Sequence, residues 1–111
     1  MKKMMTVIIG IVLTANTVFT YTKSTHMVKM RDGINLETDV YLPEGLDSTS
    51  VPAVLIRTPY GRERQKPELI AAFTDSSSYA LVIQDTRGQH SSEGIDSVFL
   101  DDAWGDKKDG Y

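Results

Sequence analysis

The residue best placed to take part in chemistry is Tyr60, which lies in the segment Arg57-Thr-Pro-Tyr-Gly61 directly after an apolar run. Pro59 fixes its own φ and Gly61 permits a sharp turn, so the tyrosine would be held rigidly. Its phenol is a hydrogen-bond donor, and ligands of open α/β sheets bind where such strands end. The alternative is that Tyr60 packs over the sheet edge, and the residues alone favour that alternative.

A second polar group follows the apolar run 80–84 and comprises Asp85, Arg87 and Gly88. In a functional interpretation, Asp85 would be the acid of a catalytic triad or Arg87 would clamp a substrate. In a structural interpretation, Asp85 and Arg87 anchor their loop by hydrogen bonds and ion pairs, while Gly88 permits a turn.

His90 is followed by Ser91 and Ser92, so a base and a nucleophile lie side by side in the sequence. Adjacent residues in one loop rarely hold the hydrogen-bond geometry that such a pair needs, and no third group is evident to orient the ring. We therefore predict that His90 lies on a solvated loop near the mouth of a pocket.

No metal or other cofactor is predicted. The acidic residues near the end of the sequence do not have the spacing of a calcium-binding loop, and Lys107 and Lys108 interrupt them. They are expected to form a solvated surface. The chain has no cysteine, which excludes disulfides and thiolate metal sites. The acidic residues concerned are Asp96, Asp101, Asp102, Asp106 and Asp109.

The first elements predicted are two strands of a β-hairpin. Thr25–Met30 forms the first strand, and Gly33 supplies a turn. Residues 35–42 then alternate between apolar and polar side chains, which predicts a strand with one wetted face.

Two short apolar runs, 51–57 and 80–84, are typical of strands buried on both faces of a parallel sheet. Between them, residues 66–73 carry apolar side chains at helical spacing, with Pro67 in the first turn. The predicted fold class is therefore α/β, an antiparallel hairpin followed by strand, helix and strand.

The first 22 residues have the layout of a secretory signal peptide. A basic head with Lys2 and Lys3 precedes an almost wholly apolar stretch from Met4 to Leu13. That stretch is shorter than the roughly 20 residues of a spanning helix, so a membrane anchor is the less favoured alternative. We predict an exported protein that meets the membrane only during export.

Loss of this segment would change the formal charge from −3 to −5, because it contains two lysines and no acidic residue. A mildly acidic domain has no electrostatic attraction to nucleic acid, so none is predicted as a partner. The sequence makes no prediction of oligomeric state.

Four ordered motifs between Met27 and Tyr111 resemble the start of the X-Pro dipeptidyl-peptidase-like hydrolases. This family of serine hydrolases includes cocaine esterases, glutaryl-cephalosporin acylases and α-amino acid ester hydrolases. The motifs are Met30-Arg-Asp-Gly33, Asp39-Val-Tyr-Leu-Pro43, the segment 53–62 that contains Tyr60, and the segment 80–94 that contains Asp85.

The resemblance implies that residues 25–111 form the N-terminal, incomplete portion of an α/β-hydrolase sheet. It also implies that Tyr60 points its phenol into the oxyanion hole, together with the backbone N–H of the residue after the catalytic serine. Because the catalytic Asp and His of the family come much later in the chain, Asp85, Arg87 and Gly88 are expected to be loop anchors. Substrates of the complete enzyme would be small esters, amides or peptides.

No Gly-x-Ser-x-Gly motif occurs in the chain. We therefore expect an N-terminal fragment of the enzyme, inert without its nucleophile. The alternative is a non-catalytic secreted remnant or interaction module.

Overall fold

The computed structural model describes residues 21–45, 50–77, 79–97, 100–103 and 105–110. Within them lies one four-stranded sheet of order β1-β2-β4-β3, in which only β3 and β4 are parallel. The predicted sequence of hairpin, strand, helix and strand is confirmed. The strands are β1 (Tyr21–Lys29), β2 (Asn35–Pro43), β3 (Ala53–Thr58) and β4 (Ala80–Asp85); the helices are α1 (Pro67–Ser77), α2 (Leu100–Ala103) and a 3₁₀ turn (Arg62–Arg64).

The hairpin closes through Gly33, whose φ of +91° is readily adopted only by glycine. Its N–H donates to the Met30 carbonyl at 3.0 Å. β1 begins at Tyr21, four residues before the predicted start at Thr25. The early residues of β1 are polar because this strand lies at the sheet edge and is almost wholly exposed. Residues 1–20 of the predicted signal peptide lie outside the described residues.

One face of the sheet is covered by α1. Tyr41, Leu81 and Ile83 form the buried cluster with Ile70 of the helix. Burial of these apolar side chains is expected to be the main contribution to the stability of the fold.

Residues 51–57 were predicted to form a strand that is buried on both faces, and for β3 that prediction was wrong. Leu55 is 51% exposed, and β3 pairs with β4 on one side only among the described residues. By contrast, the prediction that residues 80–84 form a buried strand is confirmed. β4 lies between β2 and β3, and its residues are almost all buried. The two runs look alike in sequence, but α1 covers only one face of the sheet. Val54 and Ile56 of β3 pack on that side, and Leu55, which points to the opposite face, is left exposed.

The described residues contain no helix of the length and hydrophobicity needed to cross a membrane.

Candidate active site

Tyr60 lies just past the carboxyl end of β3, and it is 70% exposed. Its backbone N–H donates to Thr58 Oγ1 at 3.0 Å, and Gly61 follows with a φ of +102°. No hydrogen bond to the phenol hydroxyl forms within the described part of the chain. The backbone of the tyrosine is thus held while its hydroxyl remains available to a ligand.

Asp85 holds the turn that follows Tyr60. Its Oδ1 accepts the backbone N–H of Arg62 at 2.7 Å, and its Oδ2 accepts Nη1 of the same residue at 2.8 Å. Both carboxylate oxygens are therefore engaged, and the side chain is fully buried. An acid in this position orients the turn after β3.

Arg62 is the centre of this arrangement, a role that no pattern in the sequence predicted. Besides Asp85, its guanidinium lies 2.8 Å from Glu37 Oε2 and 3.1 Å from Asp39 Oδ1. Asp39 also accepts from Thr25 at 2.7 Å and pairs with Lys23 at 3.1 Å. This cluster joins both strands of the hairpin to the turn that carries Tyr60.

The cluster also corrects the expectation that the polar face of β2 is wetted. Asp39 and Tyr41 are buried, whereas Leu42 on the opposite face is 40% exposed. Alternation did predict a strand, but neither of its faces is mainly solvated, since Leu36 and Thr38 on the opposite face are buried as well. The polar face is buried because α1 and Arg62 both pack on it, and a buried carboxylate is stable there only with these partners.

Arg87 joins three separated segments of the chain. Its Nε and Nη2 donate to the two oxygens of Asp109 at 2.9 and 2.7 Å, and its Nη1 and Nη2 donate to Asp32 at 2.7 and 3.1 Å. These charge-assisted bonds raise the pKa of the Arg87 guanidinium. The side chain is 5% exposed, so its donors are used within the protein.

The solvated acidic surface that was predicted near the end of the sequence forms only in part: Asp96 and Asp106 are exposed, whereas the other three acidic residues are half-buried or buried and pair with basic side chains. Asp109 is buried against Arg87, Asp102 pairs with Arg57, and Asp101 pairs with Lys107 at 3.1 Å. The spacing of the acidic residues could not predict these ion pairs, because the arginines that pair with Asp102 and Asp109 lie far away in the sequence.

Gly88 has a φ of +72°, and a Cβ at this position would lie 2.3 Å from the backbone nitrogen of Asp96. Its N–H donates to the Glu93 carbonyl at 3.0 Å. Only glycine fits here, because backbone atoms of the next turn occupy the space of a side chain.

A cleft of about 310 Å³ opens at the carboxyl ends of β3 and β4, along the turn that follows Tyr60, and Tyr60 itself is not among its lining residues. No hydrogen bond joins the Ser91 hydroxyl to the His90 ring within the described residues. Ser92 is buried and donates to the Asp85 carbonyl at 2.9 Å. The described residues hold no group of three metal-ligating side chains. The cleft is lined by Gly61, Arg62, Glu63, Arg64, Asp85, His90 and Ser91.

The carboxylates of the described region make folding dependent on pH. Burial alone would raise the pKa of Asp39, but the hydrogen bond from Thr25 and the positive charges of Lys23 and Arg62 hold it below its ordinary value. The hydrogen bond from Arg87 lowers the pKa of Asp32, and that from Lys107 lowers the pKa of Asp101. A carboxyl group whose pKa is lower in the folded state stabilises the fold above its unfolded pKa of about 3.9 and loses that effect as the pH falls through the folded value.

We therefore expect the free energy of unfolding to be constant between neutral pH and about pH 5 and to fall progressively below about pH 4. Urea unfolding at a series of pH values measures this. Asp32→Asn should flatten the acidic limb of the curve, since it removes one of the groups. An unfolding free energy equal at pH 3 and pH 7 would contradict the expectation.

Comparison with known proteins matches residues 32–111 to the family model described as X-Pro dipeptidyl-peptidase (S15 family). The cocaine esterase of Rhodococcus sp. (strain MB1 Bresler) is 40% identical over 84 residues, which cover 68% of this chain. An aminopeptidase from the marine sediment archaeon Thaumarchaeota archaeon superimposes with a TM-score of 0.61 at 31% identity over 81% of the chain. An α-amino acid ester hydrolase superimposes with a TM-score of 0.59 at 33% identity over 76% of the chain.

The chain spans only part of these relatives, namely 14% of the cocaine esterase, 16% of the aminopeptidase and 15% of the ester hydrolase. The matched region nevertheless contains β2, α1, β3 and β4, as well as Tyr60 and the residues that hold the turn after β3. The described sheet has the fold of the N-terminal part of an α/β-hydrolase, and the chain belongs to the X-Pro dipeptidyl-peptidase (S15) family of hydrolases.

Proposed function

We propose that this chain supplies Tyr60 as one half of the oxyanion hole of an exported serine hydrolase that transfers the acyl group of esters or amides to water. The observation that carries the proposal is an exposed phenol on a backbone held at the carboxyl end of β3. The named activities of the relatives, on cocaine, on amino acid esters and on peptides, all break a bond between a carbonyl carbon and a heteroatom.

In the proposed reaction a serine oxygen bonds to the carbonyl carbon of the substrate, and negative charge develops on the carbonyl oxygen. The Tyr60 hydroxyl donates a hydrogen bond to that oxygen, and the backbone N–H after the serine donates a second. Collapse of the intermediate expels the alcohol or amine with a proton, and water then releases the acid from the acyl-serine. In this proposal the chain contributes Tyr60, and the nucleophile, the base and the triad acid come from residues outside it.

Among the described residues β3 has a strand partner on one side only, and its other edge supports this division of roles. A further parallel strand paired there would end beside Tyr60, since the carboxyl ends of parallel strands meet at one edge of a sheet. Such a strand would also pair with the backbone of the β3 edge that has no strand partner among the described residues. A nucleophile at the carboxyl end of that further strand would lie at the same edge of the sheet as the Tyr60 phenol.

The test uses the longest protein that the gene encodes. We expect that protein to appear outside the cytoplasm with residues 1–22 removed, to hydrolyse p-nitrophenyl acetate, and to be labelled by a fluorophosphonate on a serine outside residues 1–111. Residues 1–111 alone should hydrolyse no ester above the rate of the buffer. An open reading frame without a downstream Gly-x-Ser-x-Gly motif would contradict the proposal, as would ester hydrolysis by residues 1–111 that the fluorophosphonate abolishes.

A further inference from the structure

We infer that His90 is a positioning residue for the oxyanion hole, because its imidazole fixes the turn that carries Tyr60. This inference rests on the proposed function of Tyr60. A Cβ at residue 61 would lie 3.1 Å from His90 Cε1 and 3.2 Å from His90 Nε2. The ring therefore occupies the space beside the Gly61 backbone that any other residue at that position would need for its own side chain.

The loop that presents His90 is itself held in place. Ser92 donates to the Asp85 carbonyl at 2.9 Å and accepts the Glu37 N–H at 2.9 Å, which ties the loop to both β4 and β2. The Glu93 N–H also donates to the Asn35 carbonyl at 2.9 Å. His90 has a φ of +51°, a conformation that few residues other than glycine adopt. The surrounding bonds hold the histidine in this conformation and turn its ring toward Gly61.

The turn after β3 is thus restrained on three sides. Thr58 accepts the Tyr60 N–H, Asp85 accepts the Arg62 N–H, and the His90 ring lies against Gly61 between them. The phenol is 70% exposed, so its direction depends on the backbone of this turn. His90 Cε1 and Nε2 are the two atoms nearest to the space beside the Gly61 backbone, and loss of the ring would remove both of them.

The first measurement is the ¹⁵N order parameter of Gly61 in the 111-residue chain. We expect a value near 0.85 in the unaltered chain and a fall to below about 0.6 in His90→Ala. His90→Phe should retain most of the order, since it restores a ring. Ser91→Ala, which changes the next residue in the same loop, should leave the value unchanged. An unchanged Gly61 order parameter in His90→Ala would overturn the inference, as would an equal fall in Ser91→Ala.

The second measurement separates this inference from the proposed function on which it rests. In the longest protein that the gene encodes, His90→Ala should lower kcat for p-nitrophenyl acetate by about ten- to a hundredfold and leave KM nearly unchanged, as a displaced transition-state donor would. If Tyr60→Phe lowers kcat and His90→Ala does not, the positioning role is wrong and the proposed function stands. If Tyr60→Phe leaves kcat unchanged, the oxyanion role of Tyr60 is wrong, and the positioning role with it.

Discussion

Replacing Tyr60 with phenylalanine is expected to lower kcat for ester hydrolysis by about a hundred- to a thousandfold in the longest protein that the gene encodes, with little change in KM. The substitution removes one oxygen and leaves the ring and the backbone in place. The hydroxyl forms no hydrogen bond within the described residues, so its loss leaves no buried group unpaired there. The expected loss is therefore confined to the transition state, where charge on the carbonyl oxygen would meet one donor instead of two.

Tyr79→Phe is the matched control for this prediction. Tyr79 is also exposed, but it precedes β4 and so lies at the opposite end of that strand from Asp85 and the cleft. Steady-state kinetics with p-nitrophenyl acetate should show wild-type kcat for this variant. Equal rates for Tyr60→Phe and Tyr79→Phe would remove Tyr60 from the oxyanion hole.

Replacing Arg62 with methionine is expected to lower the free energy of unfolding by about 3–5 kcal/mol, because removing one partner of a buried ion pair leaves an uncompensated charge. The Arg62 side chain is 9% exposed, and those of Asp39 and Asp85 are fully buried. Methionine has a similar volume, so the loss comes from the carboxylates and not from a cavity. Arg62→Lys should restore only part of the stability, since a single ammonium group cannot reach Glu37, Asp39 and Asp85 together as the planar guanidinium does.

Arg64→Met is the control, since Arg64 lies in the same 3₁₀ turn but is exposed. Its effect should remain within about 0.5 kcal/mol, as for other surface substitutions. Urea unfolding followed by far-UV circular dichroism measures both variants. A loss of less than about 1 kcal/mol for Arg62→Met would mean that the cluster adds no net stability and that hydrophobic packing alone holds the turn after β3.

The elements that could be predicted from the sequence are those that depend on near neighbours in the chain. Gly33 and the alternation of residues 35–42 predicted the hairpin, and the apolar run before Asp85 predicted a buried strand. The helix between the two parallel strands followed from the spacing of its apolar residues. The motif around Tyr60 predicted the family, which the match to residues 32–111 confirms.

What could not be predicted depends on residues that are distant in sequence. Arg62 lies 25 positions from Glu37 and 23 from Asp85, and nothing in either segment indicates that they meet. The buried ion pairs of Arg62 and Arg87 arise because the sheet brings β2 and β4 together and places the loops after β3 and β4 at one edge. Likewise, the run before Tyr60 has the composition of a buried strand, but burial depends on the strands and helices that flank it. Local pattern thus determines the strands and the motif, whereas the partners of each charge and the exposure of each strand follow from the order of the strands and from the face of the sheet on which α1 packs.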